Sequence, residues 1–171
     1  LNFHGLKKKK KKNTTAKVKG PEATTLLTQV TIPEKATNSL NGESYTVTAI
    51  ADKAFRNTRF NGEITSITLP DSLKEIGDFA FFSCFKLEGI NLPDGLTKIG
   101  YQAFQNCYSL TEITIPSSVT TMGSHVFNRC TGLKEVTFEK NSQLSALPDA
   151  TFANCISLES FTLPNGFASI G

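Results

Sequence analysis

The chain has 171 residues, of which 39% are hydrophobic, and it carries a formal net charge of +3. This composition is close to that of an ordinary globular domain, and no stretch approaches the ~18 apolar residues that a membrane-spanning helix needs. Two His, and Cys residues whose spacing does not suit a metal, argue against most catalysis, so no enzyme activity and no cofactor is expected.

The basic charge is concentrated at the N terminus. Residues 1–20 hold eight Lys, six of them at Lys7–Lys12, and no acidic residue. The remaining chain keeps 10 of the 18 basic residues and all 15 acidic ones, a net charge of −5 there, so no general nucleic-acid-binding surface is implied. The lysine run could serve as a nuclear signal, a heparin site or a nucleic-acid patch, but a solvated loop is the simpler interpretation.

Apolar and polar residues alternate in residues 1–6 and again in residues 15–19, on either side of the lysine run. Two such runs joined by a polar segment are typical of an antiparallel hairpin. We therefore predict a β-hairpin cap over residues 1–30 and a second region over residues 31–171.

A repeat of about 23 residues dominates that second region. The residue before Pro, or its equivalent, recurs at steps of 23, 23, 23 and 25 at Leu69, Leu92, Ile115, Phe138 and Leu163. A Phe, a Cys and a Leu position recur at steps of 23, 23 and 25. The Phe position is filled by Phe81, Phe104, Phe127 and Phe152, the Cys position by Cys84, Cys107, Cys130 and Cys155, and the Leu position by Leu87, Leu110, Leu133 and Leu158. Residues 32–68 form a divergent first copy with an insertion that contains the turn signal Asn41-Gly42. There are about five copies, and the last is incomplete.

Each copy predicts one coil of a solenoid. Leu110–Ile115 has the L-x-x-L-x-L form of a leucine-rich repeat strand, and Pro116 ends that strand because it has no N–H to donate. Val119–Met122 predicts a second extended piece. The Phe, Cys and Leu positions that follow are spaced as in a short helical or 3₁₀ turn with an apolar inner side. Stacked coils would then share one core.

The pattern LPxxLxxIGxxAFxxCxxL resembles the BspA-like leucine-rich repeat family. It is carried by Leu92-Pro93, Leu96, Ile99-Gly100, Ala103-Phe104, Cys107 and Leu110, and by the copies around it. The resemblance implies a leucine-rich repeat solenoid, a right-handed β/α coil with short parallel strands, short helical or 3₁₀ turns and an N-terminal β-hairpin cap. It also implies a secreted or cell-surface protein, mostly bacterial, that binds host or matrix proteins or neighbouring cells.

The four Cys residues allow three interpretations. An extracellular chain favours two disulfides, and four thiols could in principle bind a metal. The repeat argues for buried free thiols, because each Cys occupies the same position of successive coils and suits an apolar slot.

Two surfaces are candidates for recognition. The first is an aromatic excess at Phe79, Phe82, Phe85, Tyr101 and Tyr108, where other copies mostly carry polar or small residues. Clustered exposed aromatic rings mark interaction surfaces, but the same rings could instead pack between coils as extra core. His125 takes the same position as Phe79, and no chemistry is expected there.

The second candidate is the outward side of the first strand of each coil. Its residues are Ser66, Thr68, Gly89, Asn91, Glu112, Thr114, Glu135, Thr137, Ser160 and Thr162. This face is small and polar and lacks the Trp, Tyr and Arg that are typical of binding hot spots, so it is also readily explained as a solvated sheet face.

These observations predict a non-catalytic recognition or adhesion module. Its partner would be an extracellular or host protein, with a glycan as an alternative, and neither nucleic-acid binding nor membrane insertion is expected. The rival hypothesis is a structural spacer that displays another domain. Ser169–Gly171 falls inside a copy, so we expect further repeats downstream or end-to-end self-association.

Overall fold

The computed structural model describes residues 15–20, 28–56, 63–163 and 169–170. The first arm of the predicted hairpin and the lysine run lie outside these residues, as does Gly171. From the predicted cap, the structure describes strand β1 (Thr15–Val18), which pairs in parallel with β4 (Ser44–Ile50), and the start of β2 (Gln29–Thr31), which pairs with β5 (Ser66–Thr68). Strand β1 therefore extends a sheet that the repeats themselves build.

Each coil contributes two short strands, and these align in two rows along the stack. The first row contains β2 (Gln29–Thr31), β5 (Ser66–Thr68), β7 (Gly89–Ile90), β9 (Glu112–Ile115), β11 (Glu135–Phe138) and β13 (Ser160–Thr162). The second row contains β1, β4, β6 (Glu75–Ile76), β8 (Lys98–Ile99), β10 (Thr121–Met122), β12 (Ala146–Leu147) and β14 (Ser169–Ile170). Strand pairs within both rows are parallel, so successive coils run in the same direction. The first row divides into the sheets β2-β5-β7 and β9-β11-β13, and the second into β1-β4-β6-β8-β10 and β12-β14.

The register follows the repeat. Ile99 of β8 pairs with Ile76 on one side and with Met122 on the other, at steps of 23 residues. In the first row, Val136 pairs with Ile113. Equivalent residues therefore lie over one another, which confirms the predicted leucine-rich repeat solenoid.

The repeated Phe residues form one column through the core, Phe55, Phe81, Phe104, Phe127 and Phe152. Their ring centroids are 5.4, 5.1, 5.4 and 5.6 Å apart, and neighbouring ring planes are inclined by at most 18°. The first four side chains are fully buried, and Phe152 is half-buried. Stacked rings at this separation attract each other beyond the effect of burial alone, so the column ties each coil to the next.

The insertion in the divergent first copy is a β-hairpin. Strand β3 (Lys35–Thr37) pairs antiparallel with β4, and Gly42 lies between them with a φ of 70°. A positive φ of this size carries no steric penalty for Gly, which explains the predicted Asn41-Gly42 turn.

A turn arc follows the second strand of each coil, and its N–H groups alternate between two kinds of acceptor. The N–H of Phe82 donates to the carbonyl of Phe79, three residues back, at 3.1 Å. The N–H of Phe81 instead donates to the carbonyl of Ala103 in the next coil, at 2.8 Å. Because every second N–H leaves its own coil, no α-helix can form. The predicted helical or 3₁₀ turns are therefore a series of i→i+3 turns, and the described part of the chain contains no α-helix.

Glycine at the start of three arcs, at Gly77, Gly100 and Gly123, allows those coils to approach closely, while Ala51 and Pro148 hold the same position in the other two. A Cβ on Gly100 would lie 2.5 Å from the carbonyl carbon of Gly77 and 2.6 Å from the backbone nitrogen of Asp78. A Cβ on Gly123 would lie 2.5 Å from the backbone nitrogen of Tyr101. No side chain fits at these contacts, so the repeated Gly is required by stacking.

Candidate interaction surface

The outer side of the turn arcs has a regular backbone, in which two positive-φ positions recur among the described residues. The first position is occupied by Lys53, Phe79, Gln102, His125 and Ala150, and the second by Ser83, Asn106, Arg129 and Asn154, with φ between 52° and 63°. In every coil before that of Ala150 and Asn154, these residues donate their N–H to the next coil, as Phe79 does to the carbonyl of Tyr101 at 2.8 Å. Non-glycine residues pay about 1–2 kcal/mol for this conformation, so the cross-coil hydrogen bonds must offset that cost.

An Asp side chain joins neighbouring arcs just before the first positive-φ position. Asp52 accepts a hydrogen bond from the backbone N–H of Asp78 at 3.1 Å, and Asp78 accepts one from the backbone N–H of Tyr101 at 2.9 Å. Tyr101 itself occupies the position that Asp52 and Asp78 hold in the preceding coils. The series of hydrogen bonds from an Asp carboxylate to the backbone of the next coil therefore ends at Tyr101, which has an aromatic ring at the position of the Asp.

The five predicted aromatic residues, hereafter the aromatic patch, form two groups on this surface. In the first group, the ring of Phe79 contacts Phe82 edge-on at 5.7 Å and Tyr101 edge-on at 5.3 Å. In the second group, Phe85 and Tyr108 stack with centroids 5.0 Å apart. No ring contact joins the two groups among the described residues.

Burial divides the aromatic patch unevenly. Phe79 and Phe82 are half-buried, so they contribute partly to packing between coils. Phe85, Tyr101 and Tyr108 keep 37%, 39% and 42% of their surface exposed, which is high for large aromatic residues. The two sequence interpretations, extra core and exposed surface, therefore each describe part of the same patch.

Two cationic side chains that the sequence reasoning did not single out lie over the rings. The Lys53 ammonium lies 5.8 Å from the centroid of Phe79, and the Arg56 guanidinium lies 5.2 Å from the centroid of Phe82. Both distances are within the range of cation–π attraction. The repeat could have predicted these contacts. Lys53 and Arg56 occupy the positions of Phe79 and Phe82 one coil earlier, and residues at equivalent positions stack.

The second candidate, the strand face, has the predicted geometry. Glu112 and Glu135 are direct neighbours across β9 and β11, and Thr114 and Thr137 are neighbours in the same pair of strands. All four are exposed. Two like charges directly opposite each other destabilise a sheet, so this face contains one unfavourable pair and no exposed ring among its described residues.

The four cysteines are free thiols of low reactivity. All four thiols are free, and Cys84, Cys107 and Cys130 are buried. The Cys107 thiol donates to the carbonyl of Phe81 at 3.3 Å, and Cys155 donates to that of Phe127 at 3.1 Å. Burial raises the pKa of Cys84 and of Cys155 to about 12, and it also raises the pKa of Cys107. The structure thus agrees with buried thiols rather than disulfides.

A cleft of about 590 Å³ lies where β5 and β7 end. Its lining includes Thr68, Asn91 and the carboxylates of Asp71 and Asp94. The described residues contain no cluster of three or more His, Cys, Asp or Glu side chains that could hold a metal ion. The same part of the chain has no helix with the length and apolar character needed to cross a bilayer.

His125 lies beside the aromatic patch. It is half-buried, its ring contacts Tyr101 edge-on at 5.9 Å, and its Nδ1 is buried without a hydrogen-bond partner among the described residues. The ring therefore continues the aromatic packing.

The family model for the BspA type leucine rich repeat region matches residues 48–171 with six copies. The chain belongs to this family. A BspA-type leucine-rich repeat is a fold that is typically non-catalytic, and such repeats are generally protein-interaction modules.

Solved bacterial leucine-rich repeat proteins share the fold. The T. pallidum leucine rich repeat protein is 28% identical with a TM-score of 0.68, and the match covers 84% of this chain and 73% of that one. A leucine-rich repeat protein from Bacteroides ovatus is 30% identical with a TM-score of 0.62, covering 96% and 53%. A leucine rich cell surface protein from Faecalibacterium prausnitzii, at 24% identity and a TM-score of 0.59, covers 90% and 51%.

The chain thus spans about half the length of the second and third of these structures. No curated protein matches it.

Proposed function

We propose that this BspA-type repeat is a non-catalytic recognition module of a secreted or cell-surface protein, and that it binds a protein partner through the aromatic patch. The observation that carries the proposal is the exposure of Phe85, Tyr101 and Tyr108 at 37–42% on a rigid surface. Solvent-exposed aromatic rings in a cluster are costly in an isolated protein and are enriched at interfaces. The surface location is supported by the cell-surface relative from F. prausnitzii.

The rigidity of this surface also supports the proposal. The rings are mounted on arcs whose N–H groups are all used, either within a coil or between coils, from Phe79 to Cys84. Such a surface loses little conformational entropy when it binds, which favours affinity.

The repeat provides its own controlled substitutions for testing the aromatic patch. Each ring can be replaced by the residue that the next coils carry at the same position, which the backbone already accepts. Phe79→Gln and Phe82→Gln follow Gln102 and Gln105, and Tyr108→Thr follows Thr131. A matched control changes the strand face instead, with Glu112→Gln and Glu135→Gln.

The test measures binding of the protein to a panel of purified extracellular matrix proteins by surface plasmon resonance. The proposal expects at least one partner whose binding weakens strongly in the triple aromatic variant and persists in the strand-face variant. The opposite pattern would move the binding site to the strand face. Absence of binding to every panel member would favour the spacer hypothesis.

A further inference from the structure

Lys53 and Arg56 lie at one edge of the aromatic patch without a carboxylate partner in the described part of the chain. Both side chains are exposed and rest over the rings of Phe79 and Phe82. The ion pairs of the described residues use other lysines, in the pairs Lys17–Asp52, Lys86–Glu63 and Lys98–Glu75. Two cationic groups are thus held over half-buried rings at the edge of the patch, with their charge available to a ligand.

The carboxylates close to these cations already take part in other interactions. The Asp52 carboxylate pairs with Lys17 at 3.6 Å and accepts the backbone N–H of Asp78. The Asp78 carboxylate accepts the backbone N–H of Tyr101. The backbone offers no free donor either, because the N–H groups from Phe79 to Cys84 are all bonded. What the patch presents to a ligand is therefore rings, the hydroxyl groups of Tyr101 and Tyr108, and the positive charge of Lys53 and Arg56.

A third exposed cation lies on a later turn arc. Arg129 belongs to the arc three coils beyond that of Arg56, and it also makes no ion pair within the described residues. Coils about 4.8 Å apart place the arcs that carry the two arginines about 14 Å apart along the stack. An extended polypeptide at about 3.3 Å per residue spans this distance in about four residues. The rings of the aromatic patch lie between these two ends.

We infer that the aromatic patch binds an acidic polypeptide segment, with carboxylates about four residues apart and apolar side chains between them. This inference rests on the proposed function and names the chemistry of its partner. One carboxylate pairs with Lys53 and Arg56, another with Arg129, and the apolar side chains pack on the rings. A neutral sugar is a poorer match, because it leaves the charges of Lys53 and Arg56 unpaired and finds only the hydroxyl groups of Tyr101 and Tyr108 to bond its own.

The probe is a short fluorescent peptide with two Asp residues about four positions apart and Phe between them. Anisotropy titrations compare it with the same peptide carrying Lys in place of Asp. The charge variant combines Lys53→Gln and Arg56→Gln, which follow the equivalent Gln102 and Gln105. A control with the same change in net charge combines Lys35→Gln and Lys140→Gln, two exposed lysines elsewhere.

We expect the Asp peptide to bind, to weaken with rising salt, and to lose about tenfold in affinity to the charge variant while the control stays within about twofold. The inference is overturned if the Asp peptide does not bind, if the Lys peptide binds equally well, or if both variants weaken alike. Displacement of the peptide by polygalacturonate at equal carboxylate concentration would overturn it in favour of an acidic glycan.

The aromatic variant separates this inference from the proposed function. If the triple aromatic variant binds matrix partners like the wild type, the proposed function itself fails. If the aromatic variant loses its partner while the charge variant keeps it, only the inference about acidity fails. Thermal melting followed by circular dichroism verifies that each variant is folded.

Discussion

Replacement of Phe104 tests the ring column that ties the coils together. Phe104 is fully buried and stacks on Phe81 at 5.1 Å and on Phe127 at 5.4 Å. Truncation of a buried Phe to Ala costs about 3–5 kcal/mol, and the loss of two stacked neighbours places Phe104→Ala near the upper end of that range. Phe152 is only half-buried, so Phe152→Ala is expected to cost about 2 kcal/mol.

The measurement is the free energy of unfolding from urea titrations followed by circular dichroism. A domain of ordinary stability, about 5–15 kcal/mol, leaves little margin for Phe104→Ala, so Phe104→Leu is measured alongside it. The milder change should cost about 1–2 kcal/mol and lower the urea midpoint by about 1 M.

Tyr108→Thr is the control for this experiment, because it removes an exposed ring and should change the free energy by about 0.5 kcal/mol. A cost for Phe104→Ala no larger than that of Phe152→Ala would refute the argument that the central rings carry the stacking energy.

Three further predictions concern the backbone and the thiols. Gly100→Ala should lower the free energy of unfolding by about 2–3 kcal/mol in urea titrations, because the added Cβ has no space. Gly89→Ala should raise it by about 0.5 kcal/mol, because no atom lies within 4 Å of its Cβ. Equal effects of the two variants would contradict the close approach of the coils. Ala150→Asn should raise the melting temperature because Asn tolerates the φ of 53° better than Ala, and Ala153→Asn, which lacks a positive φ, should not. The free energy of unfolding should fall above pH 9, by up to about 1.4 kcal/mol per pH unit from Cys84 alone, because its pKa rises to about 12 on folding and the unfolded thiol loses its proton first. Cys84→Ala should flatten that slope, and an unchanged slope would contradict the buried thiol.

The repeat made the core of this protein predictable. Positions such as Phe104 and Cys107 recur with the coil, and anything that recurs with the coil must stack on its own copies, so their burial follows from the sequence. The hairpin turn at Gly42 was equally accessible, because its signal is local.

The conformation of the turn arc was harder to predict. Apolar spacing cannot distinguish a 3₁₀ helix from i→i+3 turns, since both place Phe81 and Cys84 on the inner side. The difference lies in the N–H of Phe81, which finds its acceptor in the next coil. Hydrogen bonds between distant residues leave no mark on local spacing.

The aromatic patch was visible in the sequence, but its charge was not. Phe79 and Phe82 stood out because they break the pattern of their own positions. Lys53 and Arg56 look ordinary as surface residues, and only the stacking of equivalent positions places them over those rings at 5.8 and 5.2 Å. A comparison of neighbouring copies at each position would have revealed the pairing.

The junction between two coils is nearly the same wherever it occurs, and this has a consequence for how such chains change in length. Loss of a segment such as residues 93–115 joins Leu92 to Pro116, and its duplication joins Ile115 to a second copy of Pro93; the pattern already uses both kinds of pair. The glycine at the start of an arc would still pack against the backbone of the preceding coil, and the Phe ring of each coil would still stack on the next. Recombination within a gene can therefore vary the number of units without a new fold, while the combination of outward side chains, and so the partner recognised, changes with each event.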